Sequence, residues 1–187
     1  MLWDRQSMSP PASERIAGFE PIAAPDASVL ILGSLPSQQS LQKHEYYGNP
    51  QNAFWRVMGE LFGAGPDIPY AHRAEKLKRF RIAVWDVLHS SIRPGSMDAA
   101  IDLQSATPND FQMFYDEHPM LELLCFNGKK AAELYERLVA PQGICTIDKI
   151  EFRTLPSTSP AYASMKLEEK IRHWSAVRLP CSNNRRA

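Results

Sequence analysis

The chain has 187 residues, of which 44% are hydrophobic and 22% charged, a globular composition with room for one sizeable core and little room for a second. Its 21 basic and 21 acidic residues cancel to zero net charge, which excludes a uniformly basic nucleic-acid coat and leaves only local patches. No apolar run is long enough to span a bilayer, and the N-terminus carries no basic segment followed by an apolar one. The cysteines, Cys125, Cys145 and Cys181, show no metal-ligand spacing. The expectations are therefore a cytoplasmic protein with reduced thiols, no metal, no iron–sulfur cluster and no membrane contact. Cys125 and Cys145 sit in apolar runs and are expected to pack as small hydrophobes.

Residues 1–27 hold Pro10, Pro11, Pro21 and Pro25 without a clean period and read as a partly ordered arm across the surface. Residues 28–33 (SVLILG) form a short apolar run ended by glycine, which predicts a buried strand. A polar loop is expected from Ser34 to about Gln51. Phe54, Val57, Met58, Leu61 and Phe62 recur at helical spacing, and Gly63 stops that helix. Residues 71–80 predict a second helix, basic on one face, and residues 81–88 (RIAVWDVL) a second strand. Thr107 followed by Pro108 predicts a helix start, a hydroxyl cap before a first-turn proline, running to about Glu117. Residues 120–126 predict a third strand, which Asn127 and Gly128 turn into a helix over 129–138. Residues 144–155 predict another extended segment, then a Pro/Ser/Thr loop, then an amphipathic helix over about 166–177. The expected domain is thus 28–178, with a short tail over 179–187.

Strands alternating with helices predict a three-layer α/β/α sandwich around a mostly parallel sheet. Ligand sites in such sheets lie beyond the carboxyl ends of the strands. The loops after Gly33, Asp86 and Leu155 all fall there. The first of them holds Tyr46, Tyr47, Asn49 and Asn52, and a long loop rich in such residues is costly to order and usually functional. The plainer reading has the tyrosines in the core and Asn52 capping the next helix.

Residues 33–37 (GSLPS) followed by 46–56 (YYGNPQNAFWR) resemble the first motif of the hypoxanthine (deoxyinosine) DNA glycosylases. They are also similar to the mismatch-specific uracil-DNA glycosylases within the uracil-DNA glycosylase superfamily. Residues 85–96 (WDVLHSSIRPGS), 126–130 (FNGKK) and 155–161 (LPSTSPA) agree with further blocks in the same order. The resemblance covers about residues 28–178 and implies the superfamily fold and a monofunctional enzyme of base excision repair. Such an enzyme hydrolyses the N-glycosidic bond of a deaminated base, hypoxanthine or uracil, flipped out of DNA.

That bond breaks through a transition state with positive charge on the sugar and negative charge on the departing base, so fixed dipoles and a held water suffice. No cofactor is called for. Many members of the superfamily keep an Asp or Asn just after the first-motif glycine, where this chain has Ser34 and Leu35. In the deoxyinosine branch the role passes to the asparagine of the Asn-x-Phe-Trp block, which is Asn52; a carboxamide orients water but is a poor base. The resemblance makes Ser157 the second catalytic candidate. It implies base contacts by Gly33, Ser34, Tyr47, Asp86 and Asn127, with Tyr47 stacking on the base and Asp86 accepting from its ring N–H. DNA contacts are expected from Ser37, Lys129, Lys130 and Ser159, with Tyr162 and Met165 as candidates to fill the gap left by the flipped base. The pattern departs from relatives at Asn49, where histidine is common before the proline.

Two other functions remain open at this level: a uracil- or thymine-mismatch glycosylase, and a non-catalytic nucleic-acid-binding domain on the same scaffold. A serine hydrolase does not fit, because GSLPS is not the Gly-x-Ser-x-Gly elbow. The expected partner is DNA containing a damaged base, met by a monomer in the cytoplasm at the nucleoid.

Overall fold

The computed structural model describes residues 15–144 and 150–178. In chain order the strands are β1 (Arg15–Ala17), β2 (Val29–Gly33), β3 (Ile82–Asp86), β4 (Leu88–Ile92), β5 (Thr107–Pro108), β6 (Leu123–Asn127) and β7 (Glu151–Leu155). The α-helices are α1 (Gln38–Lys43), α2 (Phe54–Phe62), α3 (Tyr70–Arg79), α4 (Phe111–Glu117), α5 (Lys129–Leu138) and α6 (Leu167–Trp174).

The apolar runs become the central strands because a strand covered on both faces favours apolar side chains along its length, with polar ones only at its end. Every residue of β2 and of β3 is buried. These strands join β6 and β7 in a parallel sheet of order β3-β2-β6-β7, flanked by helices as expected for an α/β sandwich. The register sets Gly33 beside Asp86, Leu32 beside Phe126, and Asn127 beside Leu155. The carboxyl ends of all four strands therefore line up along one edge of the sheet.

Several boundaries differ from the sequence expectation. The polar loop after Gly33 contains α1, capped by the Ser37 hydroxyl accepting from the Ser40 N–H at 3.2 Å. The strand expected over 81–88 divides at Val87. Beyond it the chain leaves the parallel sheet, and β4 pairs antiparallel with β1 and β5 in a second, three-stranded sheet. Thr107 and Pro108 do not start a helix; they are β5, paired with Ser90 and Leu88. Asp110 is the cap of α4 instead, accepting from the Met113 N–H at 2.9 Å. The signal of a hydroxyl before proline is local, and the pairing with β4 overrides it. The extended segment expected over 144–155 is a strand only from Glu151.

Residues of the arm pack against the domain. Ile22 forms an isolated bridge to Val84, and the Phe19 carbonyl accepts from both the Tyr46 hydroxyl and the Trp85 indole. Cys125 is buried in the core, and burial pushes its thiol up to about 12. Cys145, Cys181 and the tail over 179–187 lie outside the described residues. Among the described residues no helix is long and apolar enough to cross a membrane.

Candidate functional site

At the carboxyl edge of the parallel sheet lies a cavity of about 500 Å³. Its lining comes from the loops after β2, β4, β6 and β7 and from the strand end at Asp86. Of the residues singled out from the sequence, it gathers Gly33, Ser34, Ser37, Tyr47, Asn52, Asp86, Asn127, Ser157, Ser159 and Tyr162. Lys129, Lys130 and Met165 are not among the lining residues.

The floor is built around Gly33. A Cβ added there would lie 2.3 Å from Asp86 Oδ1 and 3.2 Å from the Tyr47 hydroxyl, so only glycine lets both side chains approach. Asp86 Oδ2 is buried without a hydrogen-bond partner among the described residues; the Tyr47 hydroxyl is buried too, out of hydrogen-bond geometry but with the Asn127 side chain near enough to act on it. Buried polar groups without a good protein partner are costly, and a ligand of matching polarity would satisfy them. Burial foremost, then the charge of Asp98, pushes the Asp86 carboxyl up to about 7, while Arg93 works in the opposite direction. Burial also raises the Tyr47 phenol, and the Asp86 charge adds to that, so Tyr47 stays a neutral donor. One face of the Tyr47 ring stacks on Phe54, with centroids 3.9 Å apart and planes at 21°. Tyr46 is structural by contrast, with its ring buried and its hydroxyl tied to the arm.

Asn52 opens α2 and faces the cavity. Its Oδ1 accepts from the Phe54 N–H at 2.9 Å, and its Nδ2 has no partner among the described residues. The cap position itself falls to Ala53, which has no side-chain bond to offer. Asn49 turns back on its own loop, accepting from the Gln51 N–H at 2.9 Å.

The opposite wall is held by Asn127 and Thr158. Asn127 Nδ2 donates to Thr158 Oγ1 and its Oδ1 accepts from the Thr158 N–H, each at 2.8 Å, so both ends of the carboxamide are engaged. The Thr158 carbonyl accepts from the Ala53 N–H at 2.9 Å, joining this wall to the start of α2. Gly128, with φ at 97°, makes the turn that brings Ser157 close; a Cβ there would meet the Ser157 Cβ at 2.9 Å. The Ser157 hydroxyl accepts from the Ser159 N–H at 3.2 Å. Trp174, fully buried in α6, donates to the Pro156 carbonyl at 2.9 Å and so pins this loop.

Met97 and Tyr162 line the cavity while 60% and 40% exposed, an apolar pair at its mouth. Lys129 is exposed at the start of α5, and Lys130 lies 3.8 Å from Glu133.

Sequence reasoning missed Arg93, Asp98, Met97 and Asn109. The available signal was an arginine inside the block over 85–96, followed directly by Pro-Gly. Asn109 is buried and donates to the Asp86 carbonyl at 2.8 Å, fixing the backbone of that strand end.

The model of the uracil DNA glycosylase superfamily matches residues 20–178, nearly all of the described chain. The chain belongs to the uracil DNA glycosylase superfamily. It is 39% identical over 161 residues to a protein of Methanosarcina acetivorans named hypoxanthine DNA glycosylase, covering 86% of this chain and 96% of that one. A protein of Methanosarcina barkeri with the same name is 42% identical over 127 residues, 67% of this chain and 78% of the relative. The solution NMR structure of a Methanosarcina acetivorans protein described as a candidate uracil DNA glycosylase superposes with a TM-score of 0.70 at 36% identity. That match covers 88% of this chain and 99% of the other.

Proposed function

We propose that this superfamily member is a monofunctional DNA glycosylase that releases hypoxanthine from DNA, with uracil as the second substrate. The observation that carries the reading is the buried, unpartnered Asp86 Oδ2 on the cavity floor, with the Tyr47 hydroxyl, held out of bonding geometry beside Asn127, next to it. An acceptor beside a donor is complementary to a base edge that presents a ring N–H beside a carbonyl oxygen, as hypoxanthine and uracil do. The ring N–H donates to the Asp86 carboxylate, and the Tyr47 hydroxyl donates to the carbonyl oxygen. Adenine and cytosine present a ring acceptor and an amino group there, which leaves the same two groups mismatched and buried.

Asn52 supports the second half of the reaction. With Oδ1 engaged by the Phe54 N–H, its Nδ2 is left to hold the attacking water beside the sugar carbon. As the glycosidic bond breaks, negative charge develops on the base, and the Tyr47 hydroxyl sits where it can stabilise that charge. The base leaves as its anion with the bonding electrons, water adds its oxygen to the sugar carbon, and the proton that this oxygen sheds ends on the released base. Ser157 and Ser159 present hydroxyls at the rim, suited to the flanking phosphate. Tyr162 is the candidate to occupy the space vacated by the flipped nucleotide.

The direct test uses the purified protein in excess over oligonucleotides carrying one inosine, uracil or xanthine, followed by alkaline cleavage of abasic sites. Release of hypoxanthine faster than uracil is expected. Preference for uracil opposite guanine would favour the mismatch-specific reading. Tight binding without release from any substrate would leave a nucleic-acid-binding domain.

A further inference from the structure

A second feature of the cavity lies behind its floor. Arg93, just past β4, is only 3% exposed, and a guanidinium at that depth is costly unless its donors are met. Its Nη1 donates to the Leu35 carbonyl at 3.2 Å, its Nη2 to the Pro36 carbonyl, and its Nε to the Gly95 carbonyl at 3.2 Å. These bonds join the turn after β2 to the loop after β4, two segments 57 and 58 residues apart in the chain. Asp98 completes the arrangement. Its Oδ1 lies 3.8 Å from Arg93 Nη1 and accepts from the Ser34 hydroxyl at 2.6 Å. Ser34 and Asp98 both line the cavity. The turn that carries Gly33 is therefore gripped from behind by a cation and from the side by an anion.

We propose that Arg93 and Asp98 act together as the positioning unit of the base-reading floor, holding the Gly33–Ser34–Leu35–Pro36 turn against Asp86 and supplying opposed charges to it. The proposal rests on Asp86 being the group that reads the base. Neither residue is assigned contact with the substrate; both act through Ser34, the turn backbone and Asp86.

The charges facing Asp86 make the proposal measurable. From the loop after β4 come Arg93 and Asp98; from the segment after α1 come Tyr46 and Tyr47, which burial keeps neutral, and α3 adds Tyr70, likewise raised by burial. Arg93 and Asp98 are thus the charged side chains acting on Asp86, and they act with opposite sign. Removing the negative charge of Asp98 makes Asp86 easier to ionise. Removing the positive charge of Arg93 makes it harder. A merely structural role for the pair would not produce opposite displacements.

The test follows the Asp86 carboxyl carbon by NMR against pH in the free protein, its resonance identified by its loss in Asp86→Asn. The variants are Asp98→Asn, which keeps an acceptor for Ser34, and Arg93→Gln, which keeps an amide donor for the turn. The Asp86 titration is expected to move to lower pH in Asp98→Asn and to higher pH in Arg93→Gln. Single-turnover base release against pH is expected to move in the same two directions. If the NMR titration stays fixed in Asp98→Asn, or moves upward, the proposal is overturned, whether or not Arg93→Gln folds. If the NMR titrations separate as expected while the activity profiles do not move, the positioning unit stands and the reading of Asp86 as the base-contacting group fails.

Discussion

Asn52→Ala separates the two roles that one side chain can have at the start of α2. The structure shows a single bond at stake for stability, from the Phe54 N–H to Asn52 Oδ1 at 2.9 Å. Losing a bond of this helix-start kind costs about 1 kcal/mol. For a chain of this size that lowers the melting temperature by roughly 2–4 °C, readily seen by differential scanning calorimetry. The catalytic loss is separable in size. An unheld water forfeits its orientation, which should cut single-turnover release of hypoxanthine by ~10²-fold or more, at about 1.4 kcal/mol of barrier per tenfold. The assay is quenched single turnover on an inosine oligonucleotide at enzyme excess, with binding followed separately by fluorescence anisotropy. Asn52→Ala is expected to fold, to bind DNA and to be nearly inactive. Asn52→Asp should retain the bond to Phe54 and recover part of the rate, since its second oxygen can hold water and oppose the charge on the sugar. An Asn52→Ala protein that melts earlier but releases base at the wild-type rate would reduce Asn52 to a helix-start residue.

The remaining expectations concern charge. Because the Asp86 carboxyl is pushed up to about 7, base release should rise with pH through that value as the acceptor form fills; a flat profile from pH 5.5 to 8.5 refutes its role. The same shift bears on stability: the folded state holds the Asp86 proton more tightly than the unfolded chain, so stability falls as pH rises between roughly 4 and 7. Asp86→Asn should therefore be more stable than wild type at pH 8, by at most on the order of 4 kcal/mol, and unchanged melting would show that the buried charge is otherwise compensated. Replacing Lys129 and Lys130 together by alanine should weaken DNA binding and flatten its salt dependence by roughly one to two counterions, measured by anisotropy from 50 to 300 mM salt; an unchanged slope removes them from the interface. Base release should continue in EDTA, since the side chains and a water are sufficient for the proposed route; loss restored by a divalent ion would refute it.

How much of this was legible in the residues themselves depends on the range of the interaction that decides each feature. Apolar runs such as VLILG and IAVW specify buried strands, because a parallel strand covered on both faces favours apolar residues except at its end. The periodic residues of α2 end at Gly63, which adopts the left-handed cap that glycine takes most easily. The motif blocks placed Asn52, Asp86 and Ser157 at strand ends and helix starts, and the parallel register then carried them to one edge. Short-range signals failed where a distant partner competed. Thr107 and Pro108 look like a helix start until β4 pairs with them, and residues 81–88 look like one strand until Val87 turns the chain into a second sheet. Tertiary structure alone decided that Asn127 is engaged by Thr158, that Tyr47 rests one face on Phe54, and that Arg93 lies buried behind the turn after β2. Each of these depends on groups distant in the chain whose meeting is set by sheet register and packing, and no periodicity or local propensity encodes which donor will find which acceptor across that distance.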